Sequence, residues 1–418
     1  MDRRSFIWNM AGSTVYAVIS MLLGTAVMRI LGASDGGIFL FAFSTVGQHI
    51  YILSYFGMRP VQVTDTGRNY SFGDYRRFRL MTCTAALIAA LLFALLYSGF
   101  SKKAAVIIIV ALFRILDGFA DCCESEYQRD GKLYLTGMSL TARSAAVMAV
   151  FIAAMALTKD LTLSCLALLL AQAAAVLVCC VLPLRNFPGA DMTVQQGSAK
   201  RLFDAGKWLF LSAFLDMFVF SASKYAVDMV SSSEMSGYYS LIFIPASVVN
   251  LMAGFVIRPV LTGLSDDYSG GRLADFKSRI FRISGLIGAL TLLGMTAAYF
   301  LGIPVLTLLA GKDAGAALGQ YRGALVILIL GGGFYALANL LYYALVILRC
   351  QKTMFAVYVL ITAAAFASGV PAAKNGGLKG AAISFLCCMI LLTAGFTAAA
   401  AGKLKKNGAD KNENGKNS

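Results

Sequence analysis

Twelve apolar runs of about twenty residues follow one another along the chain. They lie near 6–31, 36–58, 80–99, 104–123, 137–157, 161–183, 207–229, 236–260, 280–302, 322–348, 353–371 and 377–402. An α-helix needs about that many mainly apolar residues to cross a bilayer, and hydrocarbon tolerates only backbones that satisfy their own hydrogen bonds. The runs therefore predict an all-α polytopic membrane protein with twelve transmembrane helices. Composition agrees. Residues of the AVILMFWYC set make up 59% of the 418 and charged residues 14%, where roughly 25% charged is usual. A water-soluble chain cannot hide that much apolar surface. Asn9, Ser13 and Thr14 interrupt the first run, which continues to Leu31. It reads as a signal anchor retained as the first span.

The net charge is +15. No motif of a nucleic-acid-binding fold accompanies it, so nucleic acid is not an expected partner. The basic residues concentrate between spans. With the N-terminus inside, 25 of the 36 Lys and Arg fall in inner segments and 7 in outer ones, while Arg29, Arg114, Lys224 and Arg258 lie within or at the ends of spans. That asymmetry predicts cytoplasmic N- and C-termini. The nine Cys sit in or beside apolar runs without a C-x-x-C, and one His cannot complete a zinc set, so no metal centre, cofactor or catalytic group is expected.

The two halves look related. Trp8 matches Trp208, Gly37 matches Gly237, Arg59-Pro60-Val61 matches Arg258-Pro259-Val260, and Tyr70-Ser71 matches Tyr268-Ser269. Six spans per repeat is an even number, so both halves cross in the same sense. The expectation is two six-helix lobes related by a pseudo-twofold axis along the membrane normal, an architecture of transporters. The N-terminal lobe would be 1–183, a polar cytoplasmic linker 184–206, the C-terminal lobe 207–402, and a disordered tail 403–418.

Charges inside a membrane are costly, about 2.5–3.5 kcal/mol each on insertion scales, and normally face a wet cavity or one another. The fourth span carries Arg114, Asp117, Asp121 and Glu124 at i, i+3, i+7 and i+10, on one face. The seventh carries Asp216, Lys224 and Asp228. Arg29 closes the first span, and His49 lies in the second. Two readings stay open. These residues form a partly basic cavity that accepts an anion, or Arg114–Asp117 and Lys224–Asp228 are ion pairs that fix helix packing. Arg59 and Arg258, each before a proline at a span end, suit phosphate through paired donors; the plain alternative is an inner-face anchor with a helix stop. Tyr225, Tyr238, Tyr239, Tyr342 and Tyr343 could stack on sugars, though an interfacial belt accounts for them too. Gly331-Gly332-Gly333 suits close helix packing.

Residues 24–68, GTAVMRILGASDGGIFLFAFSTVGQHIYILSYFGMRPVQVTDTGR, resemble the opening of the polysaccharide-biosynthesis membrane proteins of the O-antigen flippase type, with Arg29, Leu31, Gly32, Asp35 and Gly37 in the family pattern. ESEYQRDGKLYL (124–135) looks like that family's loop after the fourth helix, and KYAVDMVSSSEMSGYYSLIFIPASVV (224–249) like its seventh-to-eighth helix junction. The likeness covers most of 1–400. It implies the superfamily of multidrug, oligosaccharidyl-lipid and polysaccharide exporters, with two lobes and alternating access. By pattern match it implies Arg29, Arg59, Lys224, Asp228 and Arg258 as functional positions.

The reading that follows is a non-enzymatic flippase of the bacterial plasma membrane. It would move an undecaprenyl-pyrophosphate-linked oligosaccharide between leaflets, driven by H+ or Na+. Arg29, Arg59, Arg114, Lys224 and Arg258 would bind the pyrophosphate and sugars; Asp117, Asp216 and Asp228 would couple the ion or pair within the cavity. Membrane lipids and other glycan-assembly proteins are further expected partners. The competing readings are a cation-coupled multidrug exporter of the same architecture, and a membrane glycan polymerase or ligase, which would want a larger outer loop than 303–321.

Overall fold

The computed structural model describes residues 3–185, 187 and 190–414; the side chains of Arg3, Phe6, Arg258 and residues 406–414 lie outside that description. The fold is all-helical, with no strand among the described residues. By contacts the chain divides into unit 1, Met1–Met217, and unit 2, Phe218–Ser418.

Unit 1 begins with α1 (Arg3–Leu31) and α2 (33–55), the latter widened by a π turn at Ala42–Val46. A short α3 (Met58–Thr64), α4 (Phe72–Ser98), α5 (Lys102–Arg129), α6 (Leu133–Thr158) and α7 (Leu161–Arg185) follow. The long α8 (Ser198–Val230) carries the chain from unit 1 into unit 2, and the division by contacts falls inside it. Unit 2 continues with α9 (Ser233–Ile257), α10 (Leu261–Ser269), α11 (Leu273–Ala310), α12 (Lys312–Leu318), α13 (Arg322–Ile347), α14 (351–376) and α15 (378–414).

Ten segments among the described residues are long and apolar enough to cross a membrane. One of them, Gln351–Lys405, contains both α14 and α15, which part at Gly377, where φ is 56°. Glycine has no Cβ to oppose that backbone turn. The helix runs through Pro371, so the eleventh span does not end there as the sequence suggests. Adding α5, set apart by its charges, accounts for all twelve expected spans. The tail expected to be disordered is helical to Asn414. Residues 403–414 contain no proline, and extending an existing helix avoids the cost of nucleation.

The Arg-Pro pairs are handled locally. In unit 1 the break precedes the proline: Phe56 and Gly57 turn left-handed, at φ 51° and 65°, and Pro60 sits in the first turn of α3, where its missing N–H costs nothing. In unit 2 Arg258–Val260 form a 3-10 turn before α10.

Each unit has one central helix. In unit 1 it is α5, packed against α2, α3, α4, α6 and α7. In unit 2 it is α13, whose glycines pack at close range: a Cβ on Gly331 would meet Phe385 at 2.6 Å, and one on Gly332 the carbonyl of Ala246 at 2.7 Å. The crossing of α1 and α6 is as tight, since a Cβ on Gly137 would stand 2.1 Å from the Trp8 carbonyl oxygen. Backbone cannot swing aside as a side chain can. Gly137→Val should therefore destabilise the protein by about 1–3 kcal/mol, whereas Gly285→Val, with nothing within 4 Å, should not; thermal unfolding in detergent compares the two.

Candidate functional site

The charged face of α5 is turned into unit 1, not toward lipid. Arg114, Asp117, Asp121 and Glu124 are each 6% exposed or less. Their partners come from six other helices. Arg143, on α6, bridges two of the acids: Nη1 donates to Asp117 Oδ1 at 3.1 Å and Nη2 to Glu124 Oε1 at 2.7 Å. Gln172 of α7 donates to the same Asp117 oxygen at 2.7 Å. On the other Asp117 oxygen lie the Tyr16 hydroxyl of α1 at 3.3 Å and Arg114 Nη1 at 3.5 Å.

Arg114 is seated by α1 and α2. Its Nη1 donates to Tyr16 Oη at 2.8 Å and its Nη2 to the Phe43 carbonyl, in the π turn of α2, at 3.2 Å. The guanidinium lies 3.8 Å from the Phe43 ring centroid, a cation–π contact. Gly47 leaves the space, since a Cβ there would sit 3.1 Å from Arg114 Cγ.

One turn on, Asp121 receives Arg59 Nη1 of α3 at 2.7 Å and Arg79 Nη2 of α4 at 3.1 Å. Arg59 also donates to Gln128 Oε1 through Nε and Nη2, and Arg79 Nη1 donates to the Ser54 carbonyl. At the far end of α5, Glu126 accepts from Gln62 at 2.9 Å and pairs with Arg129 at 3.4 Å, which reaches Asp65 at 3.2 Å. Burial opposes charge on Asp65, but the amides of Asn69 and Tyr70 and the guanidinium of Arg129 outweigh it and hold the carboxyl below its usual range. A depressed carboxyl adds stability above its unfolded pKa, and that stability is lost as pH falls through the folded value. Asp65→Asn should lack this acid-sensitive component in unfolding measured from pH 7 downwards.

The inner part of the network sets four guanidiniums, Arg59, Arg79, Arg114 and Arg143, against three carboxylates, Asp117, Asp121 and Glu124. Among the described residues Nε of Arg114 and of Arg143 are buried without an acceptor. A cavity of about 20 Å³ adjoins Tyr16, Asp117, Arg143, Ser144 and Gln172. It has room for one water or a small ion, with polar partners on several sides.

In unit 2, Lys224 is 6% exposed. The i, i+4 pair with Asp228 that the spacing suggests is not formed: among the described residues no carboxylate lies within 4.0 Å of the ammonium. It rests 4.3 Å from the Phe243 centroid and 6.0 Å from that of Phe220, so ring faces replace the carboxylate. Among the described residues the buried hydroxyl of Ser221 has no hydrogen-bond partner. Asp228 is buried, Asp216 half-buried, and Arg29 exposed at the end of α1. Arg258 contributes backbone to the 3-10 turn; its side chain lies outside the described residues. His49 holds the Thr45 carbonyl through Nδ1 at 2.9 Å. Near the end of α9, Asn339 donates to Asn250 at 2.8 Å beside a cavity of about 180 Å³ that Tyr343 also lines.

Arg114, Asp117 and Arg59 are thus in one network with Asp121 and Glu124. Arg79, Arg143, Tyr16 and Gln172 were not singled out. Arg79 and Arg143 count among inner-face cations in the charge pattern, yet each is 3% exposed or less. Arg143 lies ten residues inside α6, four after Ser139, and that position within an apolar run was the available signal. The segment 124–135 is not all loop: Glu124–Arg129 still belong to α5.

No protein-family model and no curated protein sequence matches the chain. Solved structures do. An inward-facing multidrug resistance MATE family transporter of the MOP superfamily aligns with a TM-score of 0.72 at 11% identity, over 96% of this chain and 99% of that one. The lipid II flippase MurJ, in an inward closed conformation, aligns at 0.71 and 11% identity, over 96% and 89%. A Vibrio cholerae MATE transporter aligns at 0.57 and 14%, over 97% and 99%. The chain has the fold of the MATE and MurJ transporters. That fold has two lobes.

Removing Arg143 would take from buried Glu124 its ion pair and leave Asp117 with Arg114 at 3.5 Å. Arg143→Met should cost about 3–5 kcal/mol, and adding Glu124→Gln should recover part of it; unfolding of the three purified proteins measures the coupling.

Proposed function

We propose that the protein is a flippase. It carries a lipid-linked oligosaccharide, with an undecaprenyl-pyrophosphate anchor, from the inner to the outer leaflet of the bacterial plasma membrane by ion-coupled alternating access, both termini cytoplasmic. The observation that carries this reading is the charge balance of the interior. Asp117, Asp121 and Glu124 are each already held by an arginine, four guanidiniums face these three acids, and among the described residues no carboxylate lies within 4.0 Å of the Lys224 ammonium. A path for organic cations would need uncommitted buried acid; a pyrophosphate needs the reverse. MurJ, whose fold the chain shares, is named as a lipid II flippase. Lys224, Arg59 and Arg258 are the proposed phosphate contacts, with Arg29 and Arg114 in supporting positions.

Asp117 is the proposed coupling residue, ahead of Asp216 and Asp228. It borders the small cavity in unit 1 and gathers a tyrosine, an amide and two arginines. Binding H+ or Na+ there would weaken its hold on Arg143 and so loosen α5 from α6.

The competing reading is multidrug export, supported by the MATE alignments. A deletion strain should accumulate lipid-linked saccharide on the cytoplasmic leaflet. Wild type should clear it and Lys224→Gln should not, although the variant inserts and unfolds normally. Extrusion of organic cations by proteoliposomes, with no leaflet accumulation in the deletion strain, would overturn the flippase reading in favour of drug export.

A further inference from the structure

Most of the arginines between α3 and α6 in unit 1 are spoken for. Arg59, Arg68, Arg79, Arg114, Arg129 and Arg143 each meet a carboxylate. Arg76 and Arg77, in the first turns of α4, do not: among the described residues no carboxylate lies within 4.0 Å of either, and both are exposed. They border a groove of about 480 Å³. Leu80, Met81 and Thr84 form one side of it, and Met192 and Val194, from the segment leading into α8, form the other. Arg76 Nη1 reaches across to Met192 Sδ at 3.7 Å.

The second wall is built, not merely adjacent. The Gly73 amide donates to the Asp191 carbonyl at 2.8 Å, the Ser71 hydroxyl to the Thr193 carbonyl, and the Gln195 amide to Asp74 Oδ1 at 2.8 Å. A Cβ on Gly73 would come within 2.2 Å of the Thr193 carbonyl oxygen, so only glycine lets this strand of chain lie so close. The carboxylates here are committed. Asp74 caps α4 in a reciprocal bond with Ser71, and Asp191 accepts from the amide and hydroxyl of Thr193. Among the described residues neither aspartate forms an ion pair with Arg76 or Arg77, so both guanidiniums keep donors to offer a ligand in the groove.

Below them the groove opens onto an apolar strip. Leu80, Met81, Ile88, Leu91, Leu92 and Leu95 are exposed, at the spacing of one helix face. Paired guanidiniums above a lipid-facing strip fit an amphipathic anion, with a phosphate for the donors and chains for the strip. We propose that this groove binds the headgroup of an anionic phospholipid, its phosphate on Arg76 and Arg77 and its acyl chains along α4. Half of the groove comes from residues 192–194, so a bound lipid holds that segment against α4. The proposal does not depend on what the protein transports.

Native mass spectrometry of the full-length protein in neutral detergent tests it, with phosphatidylglycerol, phosphatidylcholine and inorganic phosphate as probes. Phosphatidylglycerol should be retained over phosphatidylcholine. Arg76→Gln with Arg77→Gln should weaken that retention roughly tenfold or more, while Lys277→Gln with Arg282→Gln, which removes as much charge from exposed positions of unit 2, should leave it unchanged. The Gln variants alter exposed side chains, and an unchanged elution profile verifies their fold. A second variant, Met81→Glu, should lower retention by placing charge in the acyl strip. Equal retention of phosphatidylcholine, equal losses in both double variants, or full displacement by equimolar inorganic phosphate would each overturn the assignment.

Discussion

The organisation of unit 1 depends on one constraint: acids on a helix inside a membrane protein must not meet lipid or stand alone. Asp117, Asp121 and Glu124 are within the interior, where an uncompensated charge costs several kcal/mol. Arginine is the side chain that can serve two such acids at once, because its planar fork presents parallel donors. Arg143 does this for Asp117 and Glu124, and Arg59 and Arg79 share Asp121. Since Arg143 is on α6, Arg79 on α4 and Arg59 on α3, satisfying the acids of α5 also fixes which helices surround it. Glycine at 47 and 118 and the π turn of α2 are local consequences, making room for the arginine and for Ser54.

Unit 2 solves the equivalent problem differently. Its central helix, the fourth of its repeat as α5 is of the first, carries no charged residue between Arg322 and Ile347. Three consecutive glycines bring neighbouring helices to van der Waals distance instead. Repeats can therefore keep a shared pattern of spans while their interiors diverge, one held by charge-assisted hydrogen bonds and one by close packing. A network of ion pairs has alternatives available on protonation or ion binding; glycine packing has none. That difference is the basis for proposing unit 1 as the seat of ion coupling.

Several parts of the site were legible beforehand. The spacing of Arg114, Asp117, Asp121 and Glu124 put them on one face, and that face needed partners whatever they were. The Arg114–Asp117 contact followed from i, i+3 geometry and is present, though at 3.5 Å it is the loosest of the Asp117 contacts. Lys224 and Asp228 were equally well spaced and yet remain apart, because the ammonium found the Phe243 ring, on another helix. Spacing on one helix limits which residues can meet; which pair forms depends on what neighbouring helices offer. Arg143 shows the same point in reverse: its place within an apolar run sets it apart from an inner-face anchor, but nothing along the chain says which acids it meets.

The sequence by itself determined the class of the molecule, because twelve apolar runs admit no other economy of backbone hydrogen bonds in hydrocarbon, and it determined the repeat and the charged face of one helix, because those follow from order and periodicity along the chain. Only the tertiary structure decided which arginine answers which acid, that among the described residues no carboxylate lies within 4.0 Å of the Lys224 ammonium, and that the linker lies on Gly73, because each is a contact between residues tens to more than a hundred positions apart, and such contacts depend on helix packing that no local pattern encodes.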